Sequence, residues 1–162
     1  MSEQLTGEID WQWKPYHELS MEEAVAIFKL RQDVFIVEQD CPFHDIDGED
    51  DEAIHLMGWH NGKLVATLRW FPAYSKYGNR CAIGRICTDP SVRRFGVGRE
   101  LMKVALQRVD TEFPDKEIKI GAQLYLKVFY ERFGFKQSSD VYDEDGIDHI
   151  HMIRPASNVA SA

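Results

Sequence analysis

Apolar and strand-forming residues run from Ile54 to His60 and again from Lys63 to Phe71, on either side of Asn61-Gly62. That pair is what a two-residue type I′ turn favours, so the stretch predicts a β-hairpin. Upstream, Trp11 and Trp13 alternate with polar neighbours between Ile9 and Tyr16, which predicts a first strand. Pro15 restricts that strand to an edge or an end. Ser20 and Glu23 form a capping box, and Ala24, Ile27, Leu30 and Val34 recur behind it at helical spacing. A helix from about Met21 into the mid-thirties is expected.

Past the hairpin, Pro72 to Asn79 reads as a connecting loop and Ala82 to Thr88 as a strand. Val97, Leu101, Ala105 and Val109 form an i, i+4 stripe, flanked by Met102, Leu106 and Phe113, so a helix follows until Pro114 stops it. Ile118, Ile120, Ala122 and Leu124 share one face of a strand from Glu117 to Tyr125. A short helix from Leu126 to Phe133 ends at Gly134, a C′ glycine. Phe135 to Ser138 and Ile147 to Ile153 read as two last strands, joined across an acidic turn at Asp143 to Gly146. The order predicts one mixed α/β sheet of about six to seven strands with helices packed on both faces. One domain over residues 9–155 is expected, with a flexible segment at 1–8 and a disordered tail at 156–162.

A chain of 162 residues that is 44% hydrophobic and 28% charged can bury a core without disulfides or metals. Its 19 Lys and Arg against 27 Asp and Glu give a net charge of −8, which argues against a nucleic-acid binder and mildly favours a cationic substrate. Cys41, Cys81 and Cys87 are widely spaced, with no secretory signal ahead of them, so reduced thiols in a cytoplasmic protein are expected. No apolar run approaches a membrane helix. His149 and His151 share a strand face without a third ligand at suitable spacing, and no metal site is expected.

Two segments carry chemistry. From Arg31 to Ala53 the chain is dense in carboxylates yet interrupted by Phe35, Ile36, Val37, Phe43 and Ile46, so part of it is expected to pack; a solvated surface loop is the alternative. The second runs from Ala82 to Leu101, where a strand passes through Asp89 and Pro90 into Arg93-Arg94-Phe95-Gly96-Val97-Gly98-Arg99 and then a helix. Glycines at a helix N-terminus offer backbone N–H groups to phosphate, and Arg93, Arg94 and Arg99 add charge. The spacing fits neither a Walker loop nor a dinucleotide fingerprint. A basic loop that merely caps a helix is the bland alternative.

The pattern Arg93-x-x-Gly96-x-Gly98 resembles the principal acetyl-CoA motif of the GNAT family of N-acetyltransferases. Gly84-Arg85-Ile86 on the preceding strand and the run Phe129-Tyr130-Glu131-Arg132-Phe133-Gly134-Phe135 match the family's surroundings and its second signature. Within the family the chain is similar to the ElaA group. That likeness rests on Leu30-Arg31, Val34-Phe35, Val37-Glu38-Gln39, Cys41-Pro42, Asp45-x-Asp47-Gly48, Ala122-Gln123 and Gly146-Ile147 with His149 and Met152; Asp148 stands where that group would have proline.

The resemblance implies acetyl-CoA as cosubstrate, with backbone groups of Ile86, Cys87 and Thr88 on its pantetheine arm and Phe95, Val97 and the neighbouring loop residues on its pyrophosphate. It places Tyr130 beside the thioester sulfur, as a proton or hydrogen-bond donor; an aromatic packed between Phe129 and Phe133 is the alternative. Glu38 follows an apolar run that would desolvate it and is a candidate base for the acceptor ammonium. Asp45 and Asp47 share a face of an extended segment and are candidates to hold a cationic acceptor. Gln123 can orient substrate or water. Cys87 reads as a packed thiol.

The expected reaction is acetyl transfer to a small amine, a peptide or a protein lysine or N-terminus, by direct attack in a ternary complex. Two alternatives remain at this level. Arg31-x-x-Val34-Phe35 with the acidic segment is similar to acyl-homoserine-lactone synthases, and a non-catalytic acyl-CoA-binding module would keep the loop without turnover. Trp11 and Trp13 mark either a homodimer interface or core packing.

Overall fold

The computed structural model describes residues 5–160. Its contacts group the chain into two compact units, Met1–Trp70 with Arg85–Ala105, and Phe71–Gly84 with Leu106–Ala162. The fold is mixed α/β, as the order of elements predicts.

In the first unit β1 (Asp10–Pro15) pairs antiparallel with β2 (Ile54–His60), which pairs antiparallel with β3 (Lys63–Tyr74). Asn61 and Gly62 take φ of +50° and +78°, the two left-handed residues of a type I′ turn. Trp11 lies opposite Gly58, where a Cβ would stand 2.6 Å from its ring. Only glycine admits that ring flat on β2. Trp13 meets Trp70 edge to face at 5.9 Å, so both N-terminal tryptophans are engaged in packing.

Helix α1 (Met21–Arg31) starts at the expected capping box, Glu23 N–H donating to Ser20 Oγ and Ser20 N–H to Glu23 Oε1. The expected single helix into the mid-thirties instead changes pitch, and Gln32–Glu38 is π-helical. At α pitch Val37 and Glu38 would share the face of Val34. With the wider turns Val34 stays in the core with Ile27, Leu30, Met57, Leu64 and Cys87, while Val37 is 66% exposed. Helix α2 (Val97–Glu112) buries its predicted stripe of Val97, Leu101, Ala105 and Val109.

In the second unit β4 (Arg80–Thr88), which runs on into the first, pairs parallel with β5 (Ile118–Gln123) through Cys81↔Ile118 and Ala82↔Lys119. β5 pairs antiparallel with β8 (Ile147–Arg154) from Ile118↔Arg154 to Gln123↔His149. Ile118, Ile120 and Ala122 are buried, which leaves Lys119, Gly121 and Gln123 on the other face. β5 stops at Gln123 rather than Tyr125, because Leu124–Leu126 turns into α3 (Lys127–Glu131).

β6 (Lys136–Gln137) and β7 (Tyr142–Glu144) both pair with β8. β7 replaces half of the expected acidic turn. The real turn is Asp145-Gly146, at φ +56° and +82°, an Asp-Gly hairpin signal missed in the sequence. It brings the strands among the described residues to eight. The expected disordered tail is corrected at its start: Ala156 is buried, and Asn158 N–H and Ser157 Oγ–H donate to Pro114 O as the chain enters α4 (Ser157–Ala160). Residues 1–4 and 161–162 lie outside the described residues.

Candidate functional site

In the first unit β4 runs through Arg85, whose φ of +49° bends the strand in the left-handed region. A non-glycine residue there carries strain of about 1–3 kcal/mol. Its guanidinium offsets this by pairing with Asp45 at 2.9 Å and Asp47 at 3.4 Å. Past the bend Cys87 points into the core, and burial pushes its thiol up to about 12. It is a packed thiol; Ile86 and Thr88 stand on the half-buried face.

Asp89 caps the 3-10 turn Pro90–Phe95 by accepting from Ser91 N–H. Gly96 then takes φ +73°, and beyond its own chain neighbours no described atom lies within 4 Å of where its Cβ would be. The cradle at the head of the 16-residue α2 is therefore open on the side where a phosphate would lie. Arg94 and Arg99 are exposed beside it, and Gly98 is half-buried. These residues fit a pyrophosphate.

Arg93 is drawn elsewhere. Its guanidinium grips both carboxylate oxygens of Glu38 at 2.6 Å and donates to Thr88 O at 3.0 Å. Thus the first residue of the motif ties the strand end to the π-helical segment. The desolvated Glu38 expected from Phe35-Ile36-Val37 is corrected to a partly exposed one, its side chain 36% exposed and ion-paired, because the π turn rotates it outward.

The acidic segment packs in part, as expected, with Phe35 against the core. Val37, Phe43 and Ile46 are exposed, whereas the side chains of Asp45 and Asp50 are buried. The cause is three inward arginines. Arg31 donates to Asp45 at 2.9 Å and to Asp50 at 2.6 Å; Arg69 donates to Asp47 at 2.6 Å and to Asp50 at 3.1 Å; Arg85 completes the set. Burial opposes ionisation of Asp47, but Arg69, the Glu49 N–H and Arg85 outweigh it and hold the carboxyl below the usual range. Asp50 is shifted down likewise, burial being outweighed by Arg31 and Arg69. Buried His55 donates from Nε2 to Asp50 O at 2.9 Å, at the edge of this network, and burial lowers its pKa.

Asp45 and Asp47, picked as candidates for a cationic acceptor, are therefore engaged by arginines. Arg31, Arg69, Asp50 and Arg85 were missed as a set. Only Arg31 carried a signal, adjacent to Leu30 on the buried helical stripe. Beside the network Phe28, Gln32, Ile36, Phe43 and Ile46 line a cleft of about 210 Å³.

In the second unit Tyr130 lies on α3, 5% exposed, edge to face with Phe129 at 5.1 Å and with Phe135 at 6.1 Å. Gln123 ends β5 across from His149, which places its amide at the strand's C-terminal end. Among the described residues no group of three or more His, Cys, Asp or Glu is placed to hold a metal, and no helix is long and apolar enough to cross a membrane.

Residues 23–154 match the family described as acetyltransferase (GNAT) domain. Protein ElaA of Escherichia coli K12 is 40% identical over 148 residues, covering 90% of this chain and 96% of the relative. An acyl-CoA N-acyltransferase from Pseudomonas aeruginosa is 37% identical, with a TM-score of 0.85 over 91% of this chain and 99% of the other. A GNAT family acetyltransferase from Elizabethkingia anophelis with acetyl-CoA bound shares the fold at a TM-score of 0.65 and 14% identity, covering 91% of this chain and 98% of that one.

Proposed function

This chain belongs to the GNAT acetyltransferase family and is an N-acyltransferase, and we propose that it moves an acetyl group from acetyl-CoA to an amine by direct attack in a ternary complex. The observation that carries the donor assignment is the open, left-handed Gly96 at the head of α2 within the family's matched span. Backbone N–H groups from Phe95 to Arg99, with the side chains of Arg94 and Arg99, would hold the pyrophosphate. Ile86 and Thr88 would flank the pantetheine arm. When bound, the thioester supplies an activated acetyl group and a thiol leaving group.

Tyr130 would hold a proton for the departing sulfur, and its burial among aromatic rings keeps water from that hydroxyl's surroundings. Glu38 would accept the ammonium proton only after its pair with Arg93 opens, so any base role is coupled to movement of that side chain. Gln123 would orient the amine through its amide.

Free-thiol release from acetyl-CoA, butyryl-CoA and a longer acyl-CoA, measured with a panel of amines and peptides, tests this reading. Turnover with acetyl-CoA is expected; turnover confined to long acyl donors would sink it. Tyr130→Phe should lower kcat by about 100-fold with little change in the KM for acetyl-CoA. An unchanged kcat would leave Tyr130 as packing.

A further inference from the structure

On the outward face of β5 and β8 in the second unit, Gly121 leaves a notch in the row of side chains, and two phenol oxygens occupy it. Gly121 is exposed in mid-strand, and a Cβ there would stand 3.2 Å from Tyr142 Oη and 3.3 Å from Tyr77 Oη. A strand glycine packs nothing and weakens the strand; here it lets two phenol oxygens come down onto the backbone. Lys119 precedes it on the same face, with Nζ 4.8 Å from the Tyr77 ring centre. His151, across from Gly121, forms the floor between the two tyrosines, 4.8 Å from the Tyr142 ring and 5.6 Å from that of Tyr77.

The chemistry of this notch is donor-rich. Burial, followed by Glu144 and Tyr77, pushes the Tyr142 phenol up to about 12, so it keeps its proton at any working pH. The Lys119 ammonium repels a cation and attracts an anion. Glu144 is the carboxylate that would compete, but it is turned to His149, Oε2 lying 3.1 Å from Nε2. The other imidazole nitrogen, Nδ1, faces Ile147 O at 2.8 Å, so the ring is held between the Glu144 carboxylate and a backbone carbonyl. In the first unit, meanwhile, Asp45 and Asp47 are spent on arginines and offer no naked charge to a cationic substrate.

We propose that the Gly121 notch binds a carboxylate of the acceptor, through Tyr142, Tyr77 and Lys119, so that the amine acetylated carries an acid group. This rests on the transferase reading above and narrows its substrate class.

Matched acceptors that differ only in the acid group test it: the ω-amino acids from glycine to 6-aminohexanoate against the corresponding n-alkylamines. At least one amino acid should exceed its alkylamine in kcat/KM by about 10- to 100-fold, the range of a hydrogen-bonded charged group. Tyr142→Phe and Lys119→Gln should each collapse that ratio towards one, and Gly121→Ala, whose methyl would push both phenol oxygens off the strand, should do the same. Equal turnover of both series, or a ratio the variants leave intact, overturns the proposal while the transferase reading stands.

If no amine turns over, the transferase reading fails instead. Calorimetry with 4-aminobutyrate and butylamine, with CoA present, then decides on the notch. Heat from the amino acid alone, lost in Lys119→Gln, supports it; no heat from either overturns it.

Discussion

Gly96 is the residue on which the proposed donor binding turns, and its conformation separates two effects that a substitution would combine. Any L residue at φ +73° carries strain of about 1–2 kcal/mol, yet the open space around it means no clash is added. Gly96→Ala should therefore lose some stability and weaken CoA binding modestly. Gly96→Glu adds the same strain plus a carboxylate at a helix N-terminus where phosphate would lie, and should abolish CoA binding by calorimetry. Equal affinities for the two variants would mean that phosphate does not sit on this loop. Arg93, next to it, illustrates the limit of motif spacing. Its charge counts towards a basic loop in the sequence, but in the fold it is spent on Glu38 and Thr88.

Among the elements, the β1–β2 pair depends on Gly58. A methyl group there would overlap the Trp11 ring, which is held in turn by its indole N–H donating to Glu100 Oε1 at 3.0 Å. Gly58→Ala should cost about 1–3 kcal/mol, a fall in Tm of about 3–10 °C, and Trp11→Leu in the same chain should recover part of it. An unchanged Tm would show that the ring relaxes at no cost. The strands, the capping box and the helical stripe of α2 were legible because each is set by local periodicity or turn chemistry: Asn61-Gly62 names its own turn, and Ser20 with Glu23 its own cap. The same logic should have exposed Asp145-Gly146, where the density of acids around it hid a two-residue hairpin. What no local pattern could give was the π pitch of Gln32–Glu38, or the burial of the Asp45 and Asp50 side chains, which is set by arginines distant in sequence. The glycine turn at the head of α2 was therefore readable and the acidic segment was not.

At the scale of the whole molecule the acid–arginine network governs how stability responds to pH. Arg31, Arg69 and Arg85 balance Asp45, Asp47 and Asp50, so the net charge of −8 resides outside it. Asp47 and Asp50 are held below their unfolded values, near 3.9 for aspartate. The folded protein thus binds fewer protons than the unfolded chain below about pH 5, and acid favours unfolding there. Their contribution is complete above that value and is lost as pH falls through the folded pKa values. Urea midpoints should accordingly be flat with respect to these groups between about pH 5 and 7 and fall steeply below about pH 4. Asp47 is the member to test, because its side chain is 23% exposed and its removal leaves Arg69 still paired with Asp50. Asp47→Asn should be less stable than the parent at neutral pH and lose less between pH 5 and 3. Parallel pH curves for the two proteins would mean that this carboxylate is not held ionised by the arginines, and that other acids drive the acid transition.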